Sequence, residues 1–496
     1  MRTLLLLLLA AVPVRGDVTL APLFADHAVL QQGKPTPVWG QADPGERVEV
    51  RFGEQRVGAT AGADGRWMAL LEPLTASSTP SDLVVAGKTT VTVSDVLVGE
   101  VWLCAGQSNM EWPVSGSADA GPELAAAQQP MIRLFRVPHR LAESPVATTL
   151  ATWEPCTPQT AGGFSAIAFA FGRDLQQRLG IPVGLIQVTW GGSPIESWLS
   201  PAPLVLDPRF SAVHQRWLQA LHDFPEAKAA YETNLAAWQA DQEAAAKKKA
   251  PFTKPRPREP WGPGHVATPS GIFNGMVHPL LPYAARGLLW YQGESNTSRA
   301  REYGPLFQEL IASWRRHLAQ PDLHVFWVQL PNYRAPEGQD WAALREAQAS
   351  ALALPLTGQA VAIDLGDPND LHPRNKREVA RRLGLLARAS VYGSTVDHSG
   401  PLFAGATQEG RTLRVRFDHA GSGLIARNKP VQSLFVAGAD RRFFPATARI
   451  DRETLVVSAP EVPEPVAVRY AWSNAPEANL YNGAGLPAAP FRSDAW

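Results

Sequence analysis

Short apolar runs, and the way they are spaced, divide the chain into regions of different texture. From residue 17 to about 97, runs such as Ala28–Leu30, Pro37–Trp39 and Val48–Phe52 alternate with turn residues, among them Asp43-Pro-Gly45 and Gly62–Gly65. Regular strand-turn spacing of this kind predicts a small β-sandwich. From Val98 onward five strand-like runs occur: Glu100–Ala105, Val183–Trp190, Gly287–Gln292, Val325–Leu330 and Ala360–Leu365. Segments of helical period accompany them. In Phe164–Leu179 the apolar stripe is Phe164, Ile167, Ala168, Phe171 and Leu175, and Tyr303–Leu318, Trp341–Leu354 and Lys376–Val391 behave similarly. Strands alternating with helices predict an α/β domain with a mainly parallel sheet covered on both faces.

Two further regions differ from that pattern. Residues 201–265 interrupt it with a stretch rich in Ala, Gln, Glu and Lys, in which Trp217, Leu221, Tyr231, Leu235 and Trp238 fall at helical spacing. This predicts an inserted helical hairpin, closed by the solvated charges Lys247–Lys249 and a proline-rich loop, Pro251–Pro263. After Gly400 short strands return at Thr412–Phe417, Val431–Ala437, Thr454–Val457 and Ala467–Trp472. The chain thus divides into an N-terminal β domain (17–97), an α/β domain (98–400, with the insertion 201–265) and a C-terminal β region (401–496). No internal repeat is visible.

Composition narrows the function classes. The 496 residues carry 46 Lys+Arg and 46 Asp+Glu, a formal net charge of +0. That balance points to neither nucleic acid nor an anionic membrane surface. Arg2, the apolar run Leu4–Ala11 and the small-residue site Val14-Arg-Gly16 predict an export signal over residues 1–16, hence a secreted or periplasmic protein. No other apolar stretch is long enough for a membrane span. The two cysteines, Cys104 and Cys156, show no metal-ligand spacing. Small buried hydrophobes are the preferred reading, and a disulfide between them, which export permits, is the alternative. Many of the 16 tryptophans are expected to fill the core.

Four segments could carry chemistry. The first is Gly106-Gln-Ser-Asn-Met110, directly after a strand. A serine at a strand end can present its hydroxyl at the sheet edge, and glycine beside it permits a sharp turn. Met110 stands where a Gly-x-Ser-x-Gly elbow would have its second glycine. The second is Asp364–Pro373, in a loop between the last strand and a helix. His372 could accept a proton from Ser108, with Asp370 or Asp367 as its carboxylate partner. The third, Trp190-Gly-Gly-Ser-Pro194, exposes backbone N–H groups that could hold an oxyanion, and Ser193 is a weaker rival nucleophile. In the fourth, Trp290–Asn296, Gln292 offers an amide donor. Glu294 there could orient His372 or hold the loop. Ser108, Gly191-Gly192 and Gln292-Gly293-Glu294 each follow a strand, and ligands bind at the carboxyl ends of such sheets. Gly421-Ser-Gly423-Leu-Ile-Ala426 fits a dinucleotide fingerprint on paper, but Pro430 follows too soon for a phosphate-binding helix.

Together these segments resemble the sialate O-acetylesterase family, a carbohydrate-esterase branch of the SGNH (GDSL-like) hydrolases. The resemblance is carried by Val101–Met110, Trp190–Trp198, Phe273–Leu280, Trp290–Asn296, Asp370–Pro373, Val468–Trp472 and Asn482–Pro487. It implies a three-layer α/β/α SGNH-hydrolase-like catalytic domain with N- and C-terminal β-sandwich-like regions. It also implies hydrolysis of acetyl esters on an O-acetylated carbohydrate without metal or organic cofactor. By that resemblance Ser108 is the nucleophile and His372 the general base. The N–H groups of Ser108 and Gly192 and the amide of Gln292 form the oxyanion hole, with Asn296 as alternative amide. The wider superfamily has its aspartate three residues before the histidine, where this chain has Asn369, so Asp370 is the preferred acid and Glu294 or Asp367 the alternative. Sialic acid is the expected substrate, and acetylated xylan or pectin the alternative. A sialate carboxylate would need a cation, for which Arg374 and Arg377 are candidates. A silent carbohydrate-binding protein is the reading from another class.

Overall fold

The computed structural model describes residues 17–428 and 430–496. The leader read over residues 1–16 lies outside the described residues. A parallel sheet organises the middle of the chain. Its strands are β1 (Thr90–Gly106), β2 (Gln129–Arg136), β3 (Trp153–Cys156), β4 (Val183–Thr189), β5 (Gly287–Tyr291), β6 (His324–Gln329) and β7 (Thr357–Val361), in spatial order β3-β2-β4-β1-β5-β6-β7. All neighbours are parallel except the edge pair β3–β2. These strands are almost uniformly buried, as a sheet covered on both faces requires.

Helices follow the predicted stripes. They are α1 (Ser108–Glu111), α2 (Ala166–Leu179), α3 (Ser211–Lys247), α4 (Ala300–His317), α5 (Trp341–Ala349) and α6 (Lys376–Ser390). The Ser165 hydroxyl caps α2 by accepting the Ala168 N–H, and Gly180 ends it in the left-handed conformation. Asn375 caps α6 by accepting the Glu378 N–H. α2 packs on α6, and α4 on α5. The indoles of Trp102, Trp198, Trp290, Trp314, Trp327 and Trp341 are fully buried.

The structure departs from the sequence reading in several places. The last sheet strand is Thr357–Val361 rather than Ala360–Leu365, because Leu365 already belongs to the loop that carries His372. The boundary at residue 97 falls inside β1. The first half of that strand pairs with Ser77–Ala86 of the N-terminal region and the second half lies at the centre of the parallel sheet. The insertion is not a helical hairpin. It contains one long helix, α3, followed by an extended return. The 37 residues of α3 contain no glycine, and Pro225 does not end the helix. The return leg is held by the Trp238 indole donating to the Lys254 carbonyl and by Trp238 packing on Phe252.

The C-terminal region packs on the α/β domain. Arg345, fully buried on α5, donates to the carbonyls of Leu330, Pro331, Ser473 and Asn474. Tyr481 donates to Asp364, and Arg492 pairs with Glu346. Cys104 and Cys156 are buried free thiols, and burial pushes the Cys156 thiol up to about 12. Among the described residues no helix is long and apolar enough to cross a membrane.

Candidate functional site

Strand order reverses around β1: β4 lies on one side of it and β5 on the other. The crevice beyond the carboxyl ends of three such strands is where an open α/β sheet binds ligands. Gly106 closes β1 opposite both Thr189 and Tyr291. Its φ is +143°, and a Cβ there would lie 2.1 Å from the Tyr291 carbonyl oxygen. Only glycine lets β1 end this close to β5 and then turn into α1, which begins with Ser108.

The Ser108 Oγ lies 2.9 Å from Nε2 of His372. The loop between β7 and α6 delivers the imidazole, whose face stacks on Trp112 at 5.0 Å. His372 is partly buried, with 26% of its side chain exposed. Burial lowers its pKa from 6.5, the Lys376 charge lowers it further, and Asp370 opposes both. The neutral imidazole is therefore the dominant form at neutral pH, as a general base requires.

Asp370 serves the loop more directly than the ring. Its Oδ1 accepts the backbone N–H of His372 at 2.9 Å, while the separation to Nδ1 is 4.0 Å. Asp367 accepts the N–H of Asn369. Glu294 forms no hydrogen bond or ion pair with His372. Its Oε1 accepts from the side-chain amide of Asn109 at 2.6 Å, and burial raises its pKa. Of the two roles read for Glu294, loop-holding is the one the geometry matches: Asn109 also donates to the Leu371 carbonyl, 3.1 Å away and immediately before His372.

The two donor turns differ. In the Gly191–Gly192 turn, the Gly191 N–H is taken by Glu111 Oε2 at 2.7 Å. The other oxygen of Glu111 meets His139, whose ring stacks on Trp190 at 4.4 Å. Burial raises the Glu111 pKa, but the His139 contact and the Gly191 N–H together bring it below the ordinary value. Gly192, at φ +75°, has a backbone N–H with no acceptor among the described residues, and the same holds for Ser108. Across β1, the Gln292 amide nitrogen donates to the Ser193 carbonyl at 3.2 Å and to Asn296 Oδ1 at 2.8 Å, and its oxygen accepts from Tyr303. Asn296 accepts the Ile195 N–H and donates to Glu196. Both amides are therefore engaged by protein groups, the Gln292 nitrogen by Ser193 and Asn296. Ser193 donates to the Trp190 carbonyl, accepts from the Trp198 indole and is fully buried, so its hydroxyl is not available as a nucleophile.

Several residues at the site had no signal in the residue pattern: Gln107, which accepts the N–H groups of Gly293 and Ser295; Asn109; Glu111; and Lys376. Arg374 lies over Trp112 at 5.6 Å and is 63% exposed. Arg377 lies 3.8 Å from Glu123. Neither guanidinium is held by a buried partner at the serine.

Comparison with known proteins gives the family. The family model described as carbohydrate esterase, sialic acid-specific acetylesterase, matches residues 98–239 and 270–389, which hold all four motif segments. Sialate O-acetylesterase of Rattus norvegicus is 30% identical over 94% of this chain and 93% of its own length. The Homo sapiens protein of the same name is 30% identical over 76% of this chain and 72% of its own. A solved structure described as a novel carbohydrate acetylesterase from Xanthomonas citri superposes with a TM-score of 0.80, at 38% identity, covering 97% of this chain and 100% of that one. The chain belongs to the sialic acid-specific acetylesterase family of carbohydrate esterases, whose chemistry is carboxylic ester hydrolysis.

Proposed function

We propose that the protein is an exported serine esterase that removes O-acetyl groups from sialic acids. The observation that carries this reading is the Ser108 Oγ–His372 Nε2 contact at 2.9 Å beside two unpartnered N–H groups, those of Ser108 and Gly192. In the first step the Ser108 oxygen attacks the acetyl carbonyl carbon and His372 Nε2 takes the hydroxyl proton. The carbonyl oxygen gains the negative charge, and the Ser108 and Gly192 N–H groups stabilise it. Collapse of the tetrahedral intermediate breaks the bond to the sugar oxygen, which receives the proton from His372. Water then attacks the acetyl-serine, again giving a proton to His372, and acetate leaves as Ser108 regains it. Asp370 stabilises the imidazolium through space and holds the loop. In this reading Gln292 supports the Gly192 turn by holding the Ser193 carbonyl rather than touching the oxyanion.

The reading treats the central domain as an SGNH-type three-layer fold flanked by β-sandwich-like regions. The pairing of α2 with α6 and of α4 with α5 supports it. Export rests on Arg2 and Leu4–Ala11. A second reading, an acetyl esterase acting on another acetylated carbohydrate such as xylan, draws on the 38% identity to a Xanthomonas citri protein described as a carbohydrate acetylesterase. Acetate release from O-acetylated sialic acid and from acetylated xylan, measured side by side with wild type and Ser108→Ala, decides between them. The account expects the sialate ester to be preferred and its hydrolysis to be lost in the variant. Preference for xylan supports the second reading, and turnover that survives Ser108→Ala sinks both.

A further inference from the structure

Three buried polar side chains lie behind the Ser108–His372 pair, and the reaction above uses none of them. Lys376 is 1% exposed and opens α6, four residues after His372 in sequence. Its ammonium donates to Asn109 Oδ1 and lies 5.7 Å from the ring centres of both Trp112 and Tyr291. Glu294 and Asp370 act on it only through space. Asn109 is fully buried, and its amide nitrogen donates to Glu294 and to the Leu371 carbonyl. The other Glu294 oxygen is buried and accepts nothing among the described residues.

The placement of Asn109 is what links these groups to catalysis. It directly follows Ser108 in sequence, and the carbonyl it grips directly precedes His372. One amide therefore ties the serine turn to the histidine loop. A polar cluster serving the fold alone would be expected to neutralise its charges by direct pairing. Here the cation meets an amide oxygen and two aromatic faces, and the carboxylate keeps one oxygen unbonded.

We propose that Asn109, Glu294 and Lys376 form a positioning relay for the esterase, in which Asn109 locks the histidine loop onto the serine turn and the Lys376 ammonium keeps His372 in its proton-accepting form. The relay rests on the Ser108–His372 reading above. A positive charge beside an imidazole disfavours the imidazolium. Burial brings Lys376 down to about 7, with Glu294 and Asp370 opposing, so it titrates in the range where His372 works. Below that range Lys376 is charged and holds His372 neutral to lower pH, and the two titrations are coupled. The other charges near this pair are Arg374, which shares Asp370 and Trp112, and Asp119, Glu123 and Arg377, which line the small void beside Lys376.

The test is the pH profile of kcat/KM for p-nitrophenyl acetate, measured with the full chain. Lys376→Gln and Lys376→Met remove the charge, and Lys376→Arg keeps it. The acid limb is expected to move up by about half a unit or more in the neutral variants and to return towards wild type in Lys376→Arg. Asn109→Ala is expected to lower kcat about tenfold or more with a smaller change in KM, through lost alignment. An acid limb that stays in place in a folded neutral variant overturns the proposal. So does loss of the fold in both neutral variants while Lys376→Arg stays native and active. If Ser108→Ala keeps wild-type turnover, the esterase reading itself fails. If Ser108→Ala is inactive and the acid limb is unmoved, only the relay fails.

Discussion

Two turns flank the strand that leads to Ser108, and they use their hydrogen-bond donors in opposite ways. After β4, the Gly191–Gly192 turn spends one N–H on Glu111 and leaves the other unpartnered. After β5, Gln292 and Asn296 direct their amides to Ser193, Glu196 and each other. The first turn is therefore a fixed frame with one open donor, and the second is the brace that holds the frame from behind. Residue type and the family resemblance assigned a donor to each turn, the Gly192 N–H and the Gln292 amide. What decides is which donors are already satisfied, since a buried amide with acceptors in reach gives them up at a cost of about 1–3 kcal/mol.

Gly192→Ala is expected to break the contrast most severely. At φ +75° a side chain adds about 1–2 kcal/mol of strain. Tilting the open N–H should then lower kcat for p-nitrophenyl acetate on the order of tenfold to a hundredfold. Wild-type kcat would remove Gly192 from the oxyanion site. For Gln292→Ala, the prediction is a stability loss of about 2 kcal/mol in urea denaturation, from the orphaned Tyr303 and Asn296 partners, with kcat reduced only several-fold. A direct oxyanion donor would instead give on the order of a hundredfold loss in kcat with little change in stability. Glu111→Gln, which weakens the grip on the Gly191 N–H, should lower kcat a few-fold, since a charge-assisted bond becomes a neutral one.

A further contrast concerns His372, whose two nitrogens are also unequally held. Nε2 is 2.9 Å from Ser108 and Nδ1 is 4.0 Å from Asp370. Asp370→Asn should cost about tenfold, far short of the roughly 10⁴-fold expected where a carboxylate bonds the ring directly. The sign of the pH effect is fixed as well. Burial and Lys376 lower the His372 pKa and Asp370 raises it. The wild-type acid limb of kcat/KM should thus fall below the ordinary imidazole value, and Asp370→Asn should lower it further. A wild-type limb above 6.5 would contradict the first statement, and a limb that rises in Asp370→Asn would contradict the second.

The sequence made the parallel sheet and the Ser108–His372 contact legible because those depend on local pattern. Buried strands read as continuous apolar runs, and Ser108 and His372 sit in turn chemistry placed at strand ends. The hairpin reading of the insertion failed for a physical reason: helical period does not reveal where a helix stops, and nothing between Ser211 and Lys247 ends it. The domain boundary at residue 97 was misplaced because β1 serves two sheets without a break in its pattern. Gln292 and its partner Ser193 lie 99 positions apart in sequence, Asn109 and Glu294 lie 185 apart, and Asn109 and Leu371 lie 262 apart. Satisfaction of donors at that range is decided by packing, and no local motif encodes it.

Covalent labelling tests the central claim most directly. Wild-type protein treated with a fluorophosphonate and mapped by mass spectrometry should carry a single adduct, on Ser108, and His372→Ala should slow its formation at least a hundredfold, on the order expected when a serine loses its base. An adduct on Ser193 or another residue, or a Ser108 that labels equally fast without His372, would contradict the account.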